Sequence, residues 1–172
     1  MSERVDTVTV LVLGDPQDSV SQYAATTDHD VRVGDSPADI DDDTHVVVVD
    51  ATSDIPIRAV LDRVRDRGYT CGLLILNDGD RLTRGIDLAL PAPASPEEVA
   101  DGVGRVFRRV AYEAVVDDLF ALCERRADLL DDGDEDELDE VSERIRERRE
   151  CTDDIAATFD DDDYRAAFRD LD

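Results

Sequence analysis

Two aspartates stand directly after apolar runs. Asp15 follows Val10-Leu11-Val12-Leu13-Gly14, and Asp50 follows the four valines Val46-Val47-Val48-Val49. If those runs are neighbouring strands of a parallel sheet, the loops at their carboxyl ends converge and the two acids can share one ligand. Such a pair can hold Mg2+ with help from carbonyls and water, and one member can accept a phosphoryl group in line. The other chemistry-bearing types are scattered. His29 and His45 have no cysteine or serine partner at a recognisable spacing. Cys71, Cys123 and Cys151 are odd in number and far apart, which fits neither a disulfide framework nor a CxxC metal site and predicts reduced, semi-buried thiols. Gly102-Val103-Gly104 lies inside a helical pattern rather than after a strand, so it is no dinucleotide fingerprint. With no nucleophile and base pair to name, an enzyme on this scaffold has no support.

The elements that must position the two acids alternate. Apolar or β-branched runs at residues 8–13, 30–33, 46–49, 72–76 and 86–90 predict five strands, the second weak and the last stopped by Pro91 and Pro93. The valine run and residues 72–76 lack polar alternation, as expected of central strands covered on both faces. Between them, residues 18–25 predict a marginal helix. Residues 57–67 predict an amphipathic one, with Val60, Leu61 and Val64 inward and Arg63, Arg65 and Asp66 outward. The stretches 36–44 and 77–84 have room for about one helical turn each. This is the pattern of a parallel α/β sheet with helices on its faces.

From Ser95 the character becomes helical. Ser95-Pro96-Glu97-Glu98 is a capping box with proline at the first helical position. Val99, Val103, Val106 and Val110 follow at three-four spacing and can cover the sheet. Val115, Leu119, Leu122 and Leu129 or Leu130 continue it, so one helix is expected over 96–130. Residues 131–136 are expected to form a loop. Leu138, Val141, Ile145, Thr152, Ile155 and Phe159 then predict a helix that packs on a neighbour, with Glu140 and Arg144 at the favourable i,i+4 spacing. After the run Asp160 to Asp163, Tyr164, Ala167, Phe168 and Leu171 predict a last short helix. The acidic run reads as its solvated cap, since negative charge suits a helix N-terminus, with metal binding as the other use. The expected domains are residues 1–110 and 111–172.

Composition narrows the function classes. Forty-five acidic residues against nineteen basic ones give a net charge of −26 on 172 residues, and all nineteen cations are arginine. Nucleic-acid binding needs clustered cations and anionic lipid surfaces repel such a chain, so neither direct nucleic-acid nor membrane binding is expected. Arg108, Arg109, Arg125 and Arg126 read as ion-pair partners for an acidic surface. Self-repulsion of this size opposes compaction unless salt screens it, which points to an acidic-proteome, halophilic cytoplasm. The 41% of hydrophobic residues fall in periodic blocks, which separates the chain from a disordered polyanion. No apolar run approaches the roughly 20 residues of a membrane span, and no signal peptide precedes the first strand, so a soluble intracellular protein is expected.

The segments ending in Gly14-Asp15 and in Asp50 resemble the first and third strands of a two-component response-regulator receiver domain. The segment 111–172, above all Asp162-Asp163-Tyr164-Arg165-Ala166-Ala167-Phe168-Arg169-Asp170-Leu171, resembles the HalX domain, a helical module found after receivers in halophilic archaea. The resemblance implies a CheY-like (flavodoxin-like) five-stranded sheet with reduced helices, followed by a C-terminal helical hairpin. It also implies that Asp50 corresponds to the phosphoacceptor and Asp15 to the second of two Mg2+-binding acids. Three places depart from that pattern. Gly14 stands where the first acid should be, Asn77 stands near the Thr or Ser that ends the fourth strand, and Ala92-Pro93 replaces the lysine before a proline. Without that ammonium the site is net negative before any metal binds, which disfavours an acyl phosphate.

The expected function is therefore that of a non-enzymatic signalling or regulatory protein. In this reading a pseudo-receiver acts by protein contact through HalX-like helices, including as a homodimer through the C-terminal helices, and uses no cofactor. The alternative is a phosphorelay response regulator whose Asp50 takes phosphate from a histidine kinase, with Mg2+ held by Asp15 and Asp50. Transcription control would then run through a partner, because nothing in the chain reads DNA.

Overall fold

The computed structural model describes residues 7–66, 70–77, 85–132, 135–161, 163 and 164. The chain divides into two compact units, 1–110 and 111–172. In the first, five parallel strands pair in the order β2-β1-β3-β4-β5. They are β1 (Thr9–Leu13), β2 (Asp30–Gly34), β3 (Val46–Asp50), β4 (Gly72–Asn77) and β5 (Leu88–Pro91). This is the flavodoxin-like, CheY-like order, in which the chain first winds one way from β1 and then the other. The helices are α1 (Asp18–Thr26), α2 (Ile57–Asp66) and the start of α3 (Pro96–Asp132). Between β2 and β3 there is only a 3₁₀ turn, Pro37–Asp39, capped by the Ser36 hydroxyl and by the Asp39 carboxylate reaching back. That is the single turn the length of the segment allowed. The corresponding turn expected at 77–84 lies mostly outside the described residues.

Strand alternation sorts the core into two layers. On one face Val10, Val12, Val46, Val48, Leu74 and Leu76 meet Val20 and Tyr23 of α1 and Val99, Val103, Val106 and Val110 of α3. On the other Leu11, Leu13, Val47, Val49, Leu73 and Ile75 meet Ile40 and Val60, Leu61 and Val64 of α2. A side chain fully removed from water contributes roughly 1.5–3 kcal/mol, so the α3 valines alone make that helix inseparable from the sheet. Close approach is needed too. A Cβ on Gly72 would overlap Val106 and lie 2.7 Å from Val110, and one on Gly102 would lie 2.7 Å from Leu74. Gly102 thus serves helix–sheet contact, while a Cβ on Gly104 would meet only Arg108.

Four strands differ from expectation by a single residue at one end, and the fifth differs more. The last strand begins at Leu88 rather than Ile86 and runs through Pro91, which pairs with Asn77. Proline is tolerated there because β5 is an edge strand, whose outward side needs no N–H donor. The ladder continues past it, Ala92 N–H donating to the Asn77 carbonyl at 3.1 Å. The capping box opens α3 as read: Ser95 N–H donates to Glu98 at 2.7 Å and Glu98 N–H to the Ser95 hydroxyl at 3.2 Å.

In the second unit, α3 from Ala111 onward and α4 (Glu135–Ala156) form an antiparallel hairpin. Leu122, Leu129, Val141 and Ile145 close on one another with Leu119 and Leu138 beside them. Arg125 bonds Glu137 at 2.5 Å and Arg148 bonds Asp118 at 2.5 Å across the pair. The break between the helices is shorter than expected. Residues 131 and 132 still belong to α3, and α4 starts at Glu135, because Glu135, Asp136 and Glu137 suit the positive end of a helix dipole and need no loop. Phe159 packs between Tyr112 (5.2 Å) and Tyr164 (5.6 Å). Asp160 and Asp163 exchange backbone N–H donors through their carboxylates, so the acidic run caps the turn it precedes. Residues 165–172, the rest of the expected last helix, lie outside the described residues.

Candidate functional site at the sheet's carboxyl edge

β1 and β3 are adjacent, with Leu13 opposite Val49, so Asp15 and Asp50 do come out at one edge. They differ in setting: Asp15 is exposed, while Asp50 is half-buried at the end of the valine strand. The half-burial matters because every Asp50 oxygen finds a donor close by. The Thr52 N–H (2.8 Å) and the Thr52 hydroxyl (2.7 Å) both donate to Oδ1, and the Gln17 side-chain amide donates to Oδ2 at 2.6 Å. The Asp50 carbonyl in turn accepts from the Ser53 N–H (3.0 Å) and hydroxyl (2.6 Å). Asp-x-Thr-Ser after a strand is an Asx-type turn in which the side chains replace a helical start.

Gln17 is the telling residue. It sits at the N-cap of α1, yet its side chain caps nothing there and instead crosses to Asp50. Burial pushes the Asp50 carboxyl up, but the Thr52 N–H, the Thr52 hydroxyl and the Gln17 amide outweigh it and hold the group below the usual aspartate range. Asp50 is therefore a carboxylate at neutral pH, stabilised by three neutral donors. Among the described residues no ion pair reaches it or Asp15.

Gly14 has φ +88, and a Cβ there would lie 3.2 Å from Ser53 Cβ. An aspartate at this place would be strained in φ and crowded by the Asp50 turn. The donor set thus fits Mg2+ poorly: the acid expected beside Asp15 is sterically unwelcome, and three of the roughly four lone-pair sites of the Asp50 carboxylate are engaged by neutral donors. Asn77, half-buried at the end of β4, and Ala92, following β5, complete the edge.

The remaining chemistry-bearing residues lie outside the Asp50 turn. His45 continues the sheet, its Nδ1 accepting from the Thr9 N–H at 3.1 Å, and stacks edge-on against Phe107. His29 Nδ1 lies 2.7 Å from the buried Tyr23 hydroxyl, and burial pushes that phenol up. These two line an open cleft of about 380 Å3 with Thr26, Asp28, Pro96 and Glu97, which shares no residue with the Asp50 turn. Cys71 is buried, Cys151 half-buried and Cys123 exposed. Arg125 pairs with Glu137 in the open, as expected of an acidic surface, whereas Arg109, which pairs with Asp87 at 3.7 Å, is buried rather than on that surface. Arg126 differs: it bonds the Ser142 hydroxyl at 3.3 Å. Arg108 differs also, its Nε being buried with no hydrogen bond among the described residues. The sequence reading missed Gln17, Thr52 and Ser53, although the Asx-turn pattern after Asp50 was there to be read.

Among the described residues no helix is long and apolar enough to cross a membrane. No protein-family model matches the chain, and no curated protein matches it.

Proposed function

We propose that this protein is a degenerate receiver joined to a HalX-like helical domain, a non-enzymatic regulatory protein of a halophile's cytoplasm that works by protein contact. The observation that carries this reading is that both carboxylate oxygens of Asp50 are engaged by neutral donors of the chain itself. A phosphoacceptor must present a free carboxylate oxygen in line with the donor, and its acyl phosphate then needs cations to spread the added charge. Here the oxygens are held by Thr52 and Gln17, the chain contains no lysine, and Ala92 stands where the resemblance would put one. The arrangement suits a turn that fixes the β3–α2 connection. Output through protein contact follows from the charge, since −26 leaves nucleic acid and anionic lipid as poor partners.

The alternative of a working phosphorelay regulator, with a histidine kinase as donor and Mg2+ as cofactor, keeps one observation in its favour. Asp50 is held in the ionised form that a nucleophile requires. Incubating the full chain with acetyl phosphate and Mg2+ in molar KCl separates the two. Intact mass is expected to stay unchanged. A phosphoryl adduct that disappears in Asp50→Asn overturns the proposal.

A further inference from the structure

The apolar stripe that the sequence offered for docking is used up inside the hairpin, since Leu122, Leu129, Val141 and Ile145 are buried against one another. A second stripe on α3 is not. Val116, Phe120, Cys123, Ala127 and Leu130 recur at intervals of four, three, four and three, the spacing of a two-helix seam. At about 100° per residue this seam lies roughly a quarter-turn around the axis from the residues that face α4, so a further helix has room beside it. Phe120 is 67% exposed and Leu130 56%, and Cys123 and Ala127 are exposed as well. In a chain of which 37% is charged, none of these five positions is.

The flanking charges admit a second copy of the chain in one orientation. Asp117 and Glu124, both exposed, border the seam on the side away from α4. In an antiparallel pairing with a second copy these acids would lie against the same acids. In a parallel pairing they face Tyr112 and Leu119 of the second copy, which are uncharged. A parallel contact also sets each seam residue against its own counterpart, and Cys123 against Cys123. We propose that α3 pairs in parallel with α3 of a second copy of this chain through Val116, Phe120, Cys123, Ala127 and Leu130. The proposal does not depend on whether Asp50 takes a phosphoryl group.

The net charge gives this contact a signature. Two chains of −26 repel at low salt, while at about 1 M salt screening over roughly 3 Å leaves the uncharged seam to act. Self-association is therefore expected to strengthen with KCl, whereas capture of a foreign basic helix by Asp117 and Glu124 would weaken with it.

The test uses the full chain carrying Cys151→Ser, so that Cys123 is the accessible thiol. Light scattering in molar KCl at tens of micromolar should give twice the monomer mass and should give the monomer in low salt. Diamide, which takes up the two protons and two electrons of a thiol pair, should link the dimer covalently through Cys123. Phe120→Asp should raise the dissociation constant at least about tenfold, while its circular dichroism stays that of the parent. A monomer at every salt concentration overturns the proposal. So does a dimer indifferent to Phe120→Asp, and a dimer that diamide leaves unlinked overturns the parallel alignment.

Discussion

Replacing Asp50 with alanine tests whether the carboxylate is a structural hub or a reactive group held at a cost. At a working acceptor site, acids and strain oppose stability, and truncating the acceptor commonly stabilises the fold. Here Asp50 accepts three hydrogen bonds, from the Thr52 N–H, the Thr52 hydroxyl and the Gln17 amide, at 2.6–2.8 Å. A hydrogen bond to a charged group contributes about 1.5–3 kcal/mol when buried, and water can replace part of that at a half-buried site. The sum for three, so discounted, gives a loss of about 2–3 kcal/mol in Asp50→Ala. Asp50→Asn should cost only about 1 kcal/mol, because the Gln17 amide can turn over and accept from the new Nδ2. Urea unfolding at constant molar KCl measures both. The folded pKa of Asp50 is depressed. Its contribution is therefore fully present above the unfolded value of about 3.9 and lost as pH falls through the folded one. The gap between the parent and Asp50→Ala should accordingly be constant from neutral pH to about 5 and shrink below about 4. A cycle with Gln17→Ala should return a coupling of about 1 kcal/mol. An Asp50→Ala protein as stable as the parent, or more so, refutes the hub and with it the main support for a degenerate receiver.

Two further outcomes follow from the packing and the charge. Gly102→Ala should destabilise by about 1–3 kcal/mol despite its better helix propensity, because the new Cβ meets Leu74 at 2.7 Å, and Gly104→Ala, whose Cβ meets only Arg108 at 3.4 Å, should gain about 0.5–1 kcal/mol; urea midpoints compare them. Raising KCl from tens of millimolar to molar should raise the melting temperature by about 10 °C or more, as a self-repulsion of several kcal/mol is screened, and a flat melting curve series would contradict the halophilic reading.

The sheet was legible because its strands are buried on both faces and need no alternation to be recognised. Val46 to Val49 could be little else, and the three-four spacing of Val99, Val103, Val106 and Val110 marked the face of α3 that covers it. The boundaries were less so: Pro91 joined a strand because edge position, a property of topology and not of residue type, removes its penalty. Asp15 and Asp50 were rightly placed at one edge by the same topology. Their difference in setting was not legible, since it depends on Gln17, thirty-three residues from Asp50 in sequence, abandoning its helix N-cap. The stripes of α3 were merged in the sequence because a long helix drifts around its axis. Leu129 and Leu130 read as interchangeable, yet one is buried and the other more than half exposed.

The departures at the carboxyl edge belong together physically. A half-buried carboxylate must be compensated, and in a chain without lysine the compensation available at Asp50 is neutral: one backbone N–H, one hydroxyl and one amide. Neutral donors satisfy a single charge well, because they act over hydrogen-bond length and need no counter-ion. They satisfy a phosphorylated aspartate poorly, because the phosphoryl group brings up to two negative charges and oxygens that Thr52 and Gln17, already turned inward, do not reach. Arginine, the one cation type this chain uses, is a wide planar fork that a small ammonium site does not accommodate without rebuilding the loops. Nor can the first of the two acids that the receiver resemblance implies be introduced by a single change, since at Gly14 it meets both a left-handed backbone and Ser53. On the proposed reading, phosphoryl chemistry would therefore require a cation on the β5 side, a reshaped β1 loop and the release of Gln17 at once, and each change alone is expected to cost stability and return no activity.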